Sequence, residues 1–298
     1  MELHYRASQE EAGRSLLSVL RGPLRLSAAM VRRLKGADAF RVNGASVHTD
    51  YRLQPGDELR LTLTEPEPDY PSEEGEIRVL YEDECILAVD KPRGMIVHPT
   101  HARLTGTLAN RVWGYIRNTG SGGCHLVNRL DRDTGGVTLF AKNSHICALM
   151  GDAVTEKLYH AVVCGIPDEE SGSITFPIRR LNETDMKRVC AADGSEARTD
   201  YRVLAHGNGL SLLELRLYTG RTHQIRVHCA EMGWPLLGDR LYGTEESVAR
   251  SEALGETMQN LWCVRMTFRH PLTGESVTVE APPEGLKRTL FDSDYGGK

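Results

Sequence analysis

The chain has 298 residues, of which 40% are hydrophobic and 26% are charged, and its formal net charge is −5 at pH 7. This length accommodates a large core and a smaller one, while the lack of any run near the roughly 20 apolar residues of a membrane span and the charged, non-signal-like N-terminus favour a cytoplasmic protein with no membrane partner. Seven scattered cysteines without a C-x-x-C pair argue against a zinc site or redox dithiol and fit a reducing compartment.

Two short helices are predicted first. The segment 11–20 (EAGRSLLSVL) has apolar residues at helical spacing. The segment 27–36 (SAAMVRRLKG) has Ser27 as a candidate N-cap, Met30, Val31 and Leu34 on one face, and Gly36 as a stop.

A hairpin and a strand are predicted to follow these helices. Asn43-Gly44 is a strong hairpin signal because both residue types tolerate positive φ, and PGDELRLTL (55–63) supplies a turn and an alternating strand. Residues 1–64 are therefore expected to form a small α/β unit.

Basic residues are concentrated in this first unit. The stretch from Ala12 to Ala37 has no acidic residue, and its basic residues are Arg14, Arg21, Arg25, Arg32, Arg33 and Lys35. This distribution suits a phosphate-facing surface, with a merely solvated basic face as the alternative.

Residues 65–76 (EPEPDYPSEEGE) are acidic and contain three prolines, which predicts an extended, solvated linker. From 77 to 298 strand and helix patterns follow one another: strands at 137–142, 159–165 and 210–218, a helix that opens at Ser144, and a helix capped by Thr222 and closed by Gly233. Strands close together in sequence favour an α+β domain with a mixed, mostly antiparallel sheet.

Three polar clusters next to strands are candidates for chemistry. Asp131 lies between an apolar run and the turn-forming Thr134-Gly135-Gly136, so its carboxylate is expected on a loop held by the sheet; a structural pair with a neighbouring arginine is the alternative. Arg221 precedes a predicted helix N-terminus, where it could hold that carboxylate, contact a phosphate or lie on the surface.

Tyr159, alone, reads as a core tyrosine with its hydroxyl at a rim. His223 and His228 are five residues apart, which is not the i, i+4 spacing of two ligands on one helical face, so no metal site is predicted.

Five ordered motifs carry a resemblance over nearly the whole chain: YEDECILAVDKPRGMIVHPT (81–100), NRLDRDTGGVTLFAKN (128–143), EKLYHAVVCG (156–165), TGRTHQIRVHCAEMGWPLLGDRLYG (219–243) and FRHPLTGE (268–275). Together they resemble the RluA-type family of RNA pseudouridine synthases. Residues 1–64, with VNG followed by PGD behind a basic second helix, resemble an S4 RNA-binding domain.

The resemblance implies roles for individual residues. Asp131 would be the catalytic aspartate, Tyr159 the active-site tyrosine and Arg221 the partner of the aspartate. Arg129 would fill the gap left by the extracted nucleotide, and Ile225 would line the uracil pocket. The remaining contacts are expected from Thr222 and His223 at the substrate and from Arg14, Arg25, Arg32, Arg33 and Lys35 on RNA.

The implied reaction converts uridine to pseudouridine in structured RNA, with 23S ribosomal RNA favoured and transfer RNA as the alternative. It breaks N1–C1′ and forms C5–C1′ with no redox change, hydrolysis or group donor, so no cofactor is expected. We expect a monomer. The rival readings are a non-catalytic S4-type RNA-binding factor and a nucleoside hydrolase or glycosidase, which would need a second acid.

Three positions depart from the family pattern. Asn128 stands where His usually precedes R-L-D, Gly135 stands where Ser precedes the second Gly, and Leu261-Trp262-Cys263 replaces Leu-His-Ala. These departures put the identity of the substrate in doubt more than the activity.

Overall fold

The computed structural model describes residues 1–120, 122–183, 185–283 and 285–286, and its first sheet is built from N-terminal residues. The strands β1 (Glu2–Arg6), β2 (Phe40–Val42), β3 (Ala45–Ser46) and β4 (Glu58–Thr62) lie in the order β1-β4-β2-β3. Every pairing among them is antiparallel, so this unit is α+β and not the expected α/β. The helices α1 (Leu16–Arg21) and α2 (Ala28–Gly36) bury Leu16, Leu20 and Leu34 with Leu59 and Leu61 of β4 in a separate core.

The N-terminal elements match the sequence in part. Ser27 accepts a hydrogen bond from the Met30 amide, and Asn43 and Gly44 have φ of 49° and 82°, so the predicted cap and hairpin are confirmed. The helix predicted over 11–20 begins only at Leu16, because Gly13 is left-handed (φ 76°) and ends a separate 3-10 turn. The pattern of β1 was not detected.

The segment 65–76 has no regular structure and most of its residues are exposed, but the side chains of Glu65 and Tyr70 are buried. The Glu65 side chain is only 4% exposed and accepts hydrogen bonds from Arg33 Nη2 at 3.0 Å and Asn143 Nδ2 at 2.8 Å, and Glu65 Oε2 lies 2.9 Å from His125 Nε2. Tyr70 is also buried. The acidic residue at its start is therefore buried by groups from both sides, which composition alone does not reveal.

A large mixed sheet forms the rest of the protein. Its order is β10-β13-β14-β9-β15-β8-β6-β5, with β16 beside β15 and β7 beside β8. The strands are β5 (Arg78–Glu82), β6 (Ile86–Lys91), β7 (His125–Leu126), β8 (Gly135–Ala141), β9 (Val154–Cys164), β10 (Ser171–Ile174), β13 (Thr199–Gly207), β14 (Leu210–Leu217), β15 (Leu261–Arg269) and β16 (Ser276–Glu280). Only the β8–β15 pairing in this path is parallel, which confirms a mixed, mostly antiparallel sheet.

The remaining elements cover this sheet or extend from it. They are α3 (Leu108–Thr119), α4 (Ser144–Ala153), α5 (Gln224–Glu231), α6 (Glu245–Ala253) and a two-stranded hairpin of β11 (Ile178–Arg180) and β12 (Arg188–Cys190). Every residue of β8 is buried, so the strand is packed on both faces. The loop before it is therefore held at the N-terminal end of an interior strand of the sheet. None of the helices in the described ranges is long and apolar enough to span a bilayer. The domain limits predicted at 64, 65–76 and 77 stay predictions, and the stretch 287–298 of the last predicted domain lies outside the described residues.

Candidate active site

A cavity of about 330 Å³ opens beside the strand β9 and the start of α5. Its volume lies at the small end of the roughly 300–1,000 Å³ typical of ligand sites. It joins a groove of about 1,110 Å³ through shared lining residues: Arg129, Leu130, Asp131, Gly220, Arg221, His223 and Arg226. A small cavity that opens into a long groove suits one extracted unit of a polymer.

Asp131 lies on the loop between β7 and β8, at the junction of cavity and groove. The loop is closed by a bond from the Thr134 amide to the Asp131 carbonyl at 3.1 Å. Gln259 Nε2 donates a hydrogen bond to the Thr134 hydroxyl at 2.9 Å, and Lys91 Nζ donates one to the Arg132 carbonyl at 2.8 Å. The side chain of Asp131 is 29% exposed, so a buried scaffold presents a reachable carboxylate.

The guanidinium that contacts Asp131 belongs to Arg226 and not to the predicted Arg221. Arg226 Nη1 lies 3.1 Å from Asp131 Oδ2, while its Nε and Nη2 lie 2.6 and 2.9 Å from the two carboxylate oxygens of Asp239. Burial alone would lower the pKa of Arg226, but the hydrogen bonds and charge of Asp239, with those of Asp131, raise it. Arg226 is thus a permanent cation that pairs with the Asp131 carboxylate.

Arg221 lines the same cavity, but its hydrogen bond goes to a partner other than Asp131. Its Nε donates to the carbonyl of Glu196 at 3.0 Å, and the residue is exposed. The helix α5 begins at Gln224 with the left-handed His223 (φ 58°) as its N-cap, so the predicted cap at Thr222 is wrong. Arg221 lies before the turn that starts the helix, whereas Arg226 is inside the buried first turn and reaches the loop of Asp131.

His223 and Thr222 differ in their relation to the site. His223 Nε2 is 3.8 Å from Asp131 Oδ2, and its Nδ1 is 2.9 Å from the hydroxyl of Tyr242. Burial lowers the pKa of His223, and the charge of Asp131 opposes that shift. Thr222 lines the groove.

The inner wall is apolar around Tyr159 and Ile225. These side chains are 6% and 3% exposed, and Leu217 and Leu261 complete the wall. Burial raises the pKa of Tyr159 well above 10, so the phenol is neutral at physiological pH. Such a wall can hold a flat base while excluding water. Lys157, which the sequence reading did not single out, lines the same cavity.

Arg129 lies on the rim shared by cavity and groove. It is exposed, and within the described part of the chain its side chain has no hydrogen bond or ion pair. Its guanidinium is therefore available to nucleic acid.

The departures at Gly135 and Trp262 are linked, because the two residues pack against each other. A Cβ at Gly135 would lie 2.9 Å from Trp262 Cδ1 and 3.3 Å from Arg93 Cγ, and the Arg93 guanidinium lies 5.1 Å from the Trp262 ring centroid. The large ring therefore needs the glycine. Asn128 has a backbone role, because its Oδ1 accepts from the Leu139 amide at 2.7 Å in β8.

The predicted RNA-binding residues of the first unit divide into two groups. Arg33 pairs with Glu65, and Arg25 Nη2 lies 3.2 Å from Asp152 Oδ2. Arg14, Arg32 and Lys35 are exposed, although Arg14 Nε also donates to Ser18 Oγ.

Potential metal ligands meet at one place among the described residues. Atoms of Asp83, Cys85 and His270 lie within 4.8 Å of one another. His270 Nε2 already contacts Asp83 Oδ2 at 3.1 Å, its Nδ1 accepts from the Thr273 amide, and Asp83 Oδ1 accepts from the Cys85 amide. Because these side chains bond to one another and to nearby backbone amides, we interpret the cluster as structural.

The chain is similar to known RNA pseudouridine synthases in sequence and in fold. The family model described as RNA pseudouridylate synthase matches residues 86–231. The uncharacterized RNA pseudouridine synthase YlyB of Bacillus subtilis is 39% identical over 260 residues, which are 84% of each chain. The ribosomal large subunit pseudouridine synthase D of Zymomonas mobilis is 33% identical and shares 72% of each chain. The solved structure of human RNA pseudouridylate synthase domain containing 1 has a TM-score of 0.58 and 25% identity, over 74% of this chain and 88% of that one.

Proposed function

Since this chain belongs to the RNA pseudouridylate synthase family and is therefore an isomerase that acts on RNA, we propose that Asp131 is its catalytic carboxylate and that specific uridines of ribosomal RNA are its substrate. The observation that carries the first part is the contact between Arg226 and Asp131 at the mouth of a nucleotide-sized cavity.

The chemistry follows from one ionised acid near an anomeric carbon. As the N1–C1′ bond breaks, the Asp131 carboxylate either bonds to C1′ or takes a proton from C2′ to leave a glycal. The retained uracil turns and C5 bonds to C1′, which releases the carboxylate in the first route and is accompanied by return of the proton to C2′ in the second. C5 then loses its proton and N1 gains one, so the product is an isomer of the substrate. The Arg226 guanidinium donates a hydrogen bond to the Asp131 carboxylate and orients it. Leu217, Ile225 and Leu261 hold the detached uracil in the cavity.

A hydrolase is disfavoured by the acids present. Asp131 is the one carboxylate among the described residues that line the inner cavity, and Asp239, which shares Arg226 with it, has a side chain that is 1% exposed and occupied by that guanidinium. A glycosidase places a second carboxyl group roughly 5–9.5 Å from the first. Free uracil in the reaction mixture would favour the hydrolase reading.

Access to the uridine requires its removal from the stack, at a cost of a few kcal/mol. We assign Arg129 to fill the position in the stack that the uridine leaves, because its side chain is exposed on the rim and has no described partner. Replacing it with alanine should slow turnover more on a paired uridine than on an unpaired one.

A ribosomal target is supported by two observations. One relative is named as a large-subunit enzyme. The first unit, with its own core and basic exposed residues, has the character expected of an S4-type binding domain that orients the enzyme on a large folded RNA. A transfer RNA target is the second candidate.

We place the protein in the cytoplasm as a monomer. A non-catalytic factor is disfavoured because Asp131 keeps a buried cationic partner.

The deciding experiment deletes the gene and maps pseudouridines across ribosomal and transfer RNA. Wild-type protein should restore each lost position, and Asp131→Ala should restore none while RNA affinity stays within a few fold. Asp193→Asn is the matched control, because Asp193 pairs with the exposed Arg179 and lines neither the cavity nor the groove. Turnover by Asp131→Ala would refute the assignment.

A further inference from the structure

Two cations on the wall of the Asp131 cavity have no part in the chemistry described above. Lys157 lines the cavity, and within the described residues it has no hydrogen bond or ion pair. Arg221 uses its Nε on the Glu196 carbonyl, and no described carboxylate pairs with its guanidinium. Lys157 is half-buried and Arg221 is exposed, and two cations on one cavity wall without a described carboxylate partner point to an anion that is brought by the ligand.

The backbone places Lys157 beside the segment that carries Arg221. Lys157 lies two residues before Tyr159 in β9 and so projects from the same face of the sheet. Its Nζ is 3.8 Å from the place where a Cβ on Gly220 would be, and Gly220 immediately precedes Arg221. Gly220 and Arg221 line both cavity and groove, whereas Lys157 lines the cavity alone, so Arg221 lies at the opening and Lys157 just inside it.

The opening is where the backbone of an extracted nucleotide must pass. The uracil end of the substrate is neutral and faces the apolar wall, whereas each nucleotide carries phosphates on its 5′ and 3′ sides. A lysine supplies a point charge and an arginine a planar fork, and both suit a phosphate. We propose that Lys157 and Arg221 form a phosphate clamp for the flipped nucleotide, a role that rests on the proposed function.

The clamp is distinct from the general RNA surface of the first unit. It acts on one phosphate next to the target uridine, so it sets how firmly that nucleotide is seated. The competing role for Lys157 is a hydrogen bond to a uracil carbonyl. These roles separate experimentally, because only the first depends on a phosphate in the ligand.

Gly220 offers a matched pair of variants. Its φ lies outside the left-handed region and the nearest atom to a new Cβ is Lys157 Nζ, so a side chain fits there. Gly220→Asp places a carboxylate against Lys157 and competes with the phosphate. Gly220→Asn adds nearly the same volume without charge.

The test is an NMR titration of the full chain with uridine, uridine 5′-monophosphate and uridine 3′-monophosphate. At least one monophosphate should bind about tenfold more tightly than uridine. Lys157→Gln, Arg221→Gln and Gly220→Asp should reduce that advantage to less than about threefold, while their affinity for uridine changes little. Lys157→Arg, Gly220→Asn and the remote, exposed Arg60→Gln should retain it.

Three results would overturn the clamp: equal binding of uridine and both monophosphates, an advantage that survives in Lys157→Gln and Arg221→Gln, or loss of uridine affinity in Lys157→Gln, which would assign Lys157 to the base. Pseudouridine formation by the wild type is measured in parallel. Turnover without a phosphate preference removes the clamp alone, and a phosphate preference without turnover removes the proposed function alone.

Discussion

Asp239 holds Arg226 through both Nε and Nη2, which leaves Nη1 for Asp131. The Asp239 side chain is 1% exposed and that of Arg226 is 9% exposed, so this pair is shielded from water. Asp239 therefore orients the cation that pairs with the proposed catalytic acid.

Replacing Asp239 with asparagine should damage both stability and turnover. Loss of one member of a buried ion pair costs about 3–5 kcal/mol of unfolding free energy. The catalytic constant should fall while KM stays within a few fold, because the base-binding wall is untouched. Glu252→Gln is the control, since the Arg240–Glu252 pair is exposed and worth about 0–1 kcal/mol. Urea unfolding and single-turnover assays measure the two effects, and an unchanged stability would contradict the role.

The elements that local patterns specify were predictable. The Asn43-Gly44 hairpin, the Ser27 cap, the strand β8 and the helix that opens at Ser144 each depend on residues close in sequence. The short α1 was misjudged because a single left-handed glycine outweighs helical spacing.

The contacts of the site were less predictable, because they join distant parts of the chain. Asp131 and Arg226 are 95 residues apart, and the choice between Arg221 and Arg226 depends on which is buried beside Asp239. Spacing alone does not contain that burial. Lys157 belongs to one of the sequence motifs, but its position in the cavity could not be predicted because it depends on the register of β9 in the sheet.

Trp262 and Gly135 should be energetically coupled. Gly135→Ser alone should lower the unfolding free energy by about 1–3 kcal/mol, since its Cβ would overlap the Trp262 ring. In a Trp262→His background the same change should cost less, because the smaller ring makes room. Thermal melts of the two single variants and the double variant form the cycle. Additive effects would show that the two positions are independent.

Arg32 and Lys35 should carry salt-dependent RNA affinity. Both are exposed and without a described ion pair, so each can neutralise a phosphate. Changing both to glutamine should lower the slope of log affinity against log salt by roughly 0.7–0.9 per lost contact. Arg33→Gln is the comparison: because Arg33 pairs with the buried Glu65, its loss should lower stability. Unchanged salt slopes in the double variant would remove this surface from the interface.

Lys91 anchors the loop of Asp131 from a buried position. Its Nζ donates to the carbonyls of Met95, Arg132 and Pro92 at 2.7, 2.8 and 3.0 Å, and its relative exposure is 1%. Burial lowers its pKa to about 7, although the charges of Asp133, Asp131 and Asp90 oppose that shift. In the unfolded chain the pKa of a lysine is about 10.4.

This difference sets the sign of a pH effect. Between pH 7 and about 10.4 the unfolded chain binds more protons at this residue, so the contribution of Lys91 makes the unfolding free energy rise with pH, by at most about 1.4 kcal/mol per pH unit. Lys91→Met removes that contribution, so the stability of the wild type relative to the variant should increase from pH 7.5 to 9.5 in urea titrations. Lys35→Met, at an exposed site, should show no such trend. A flat difference for Lys91→Met would mean that the three carbonyls keep the ammonium charged throughout.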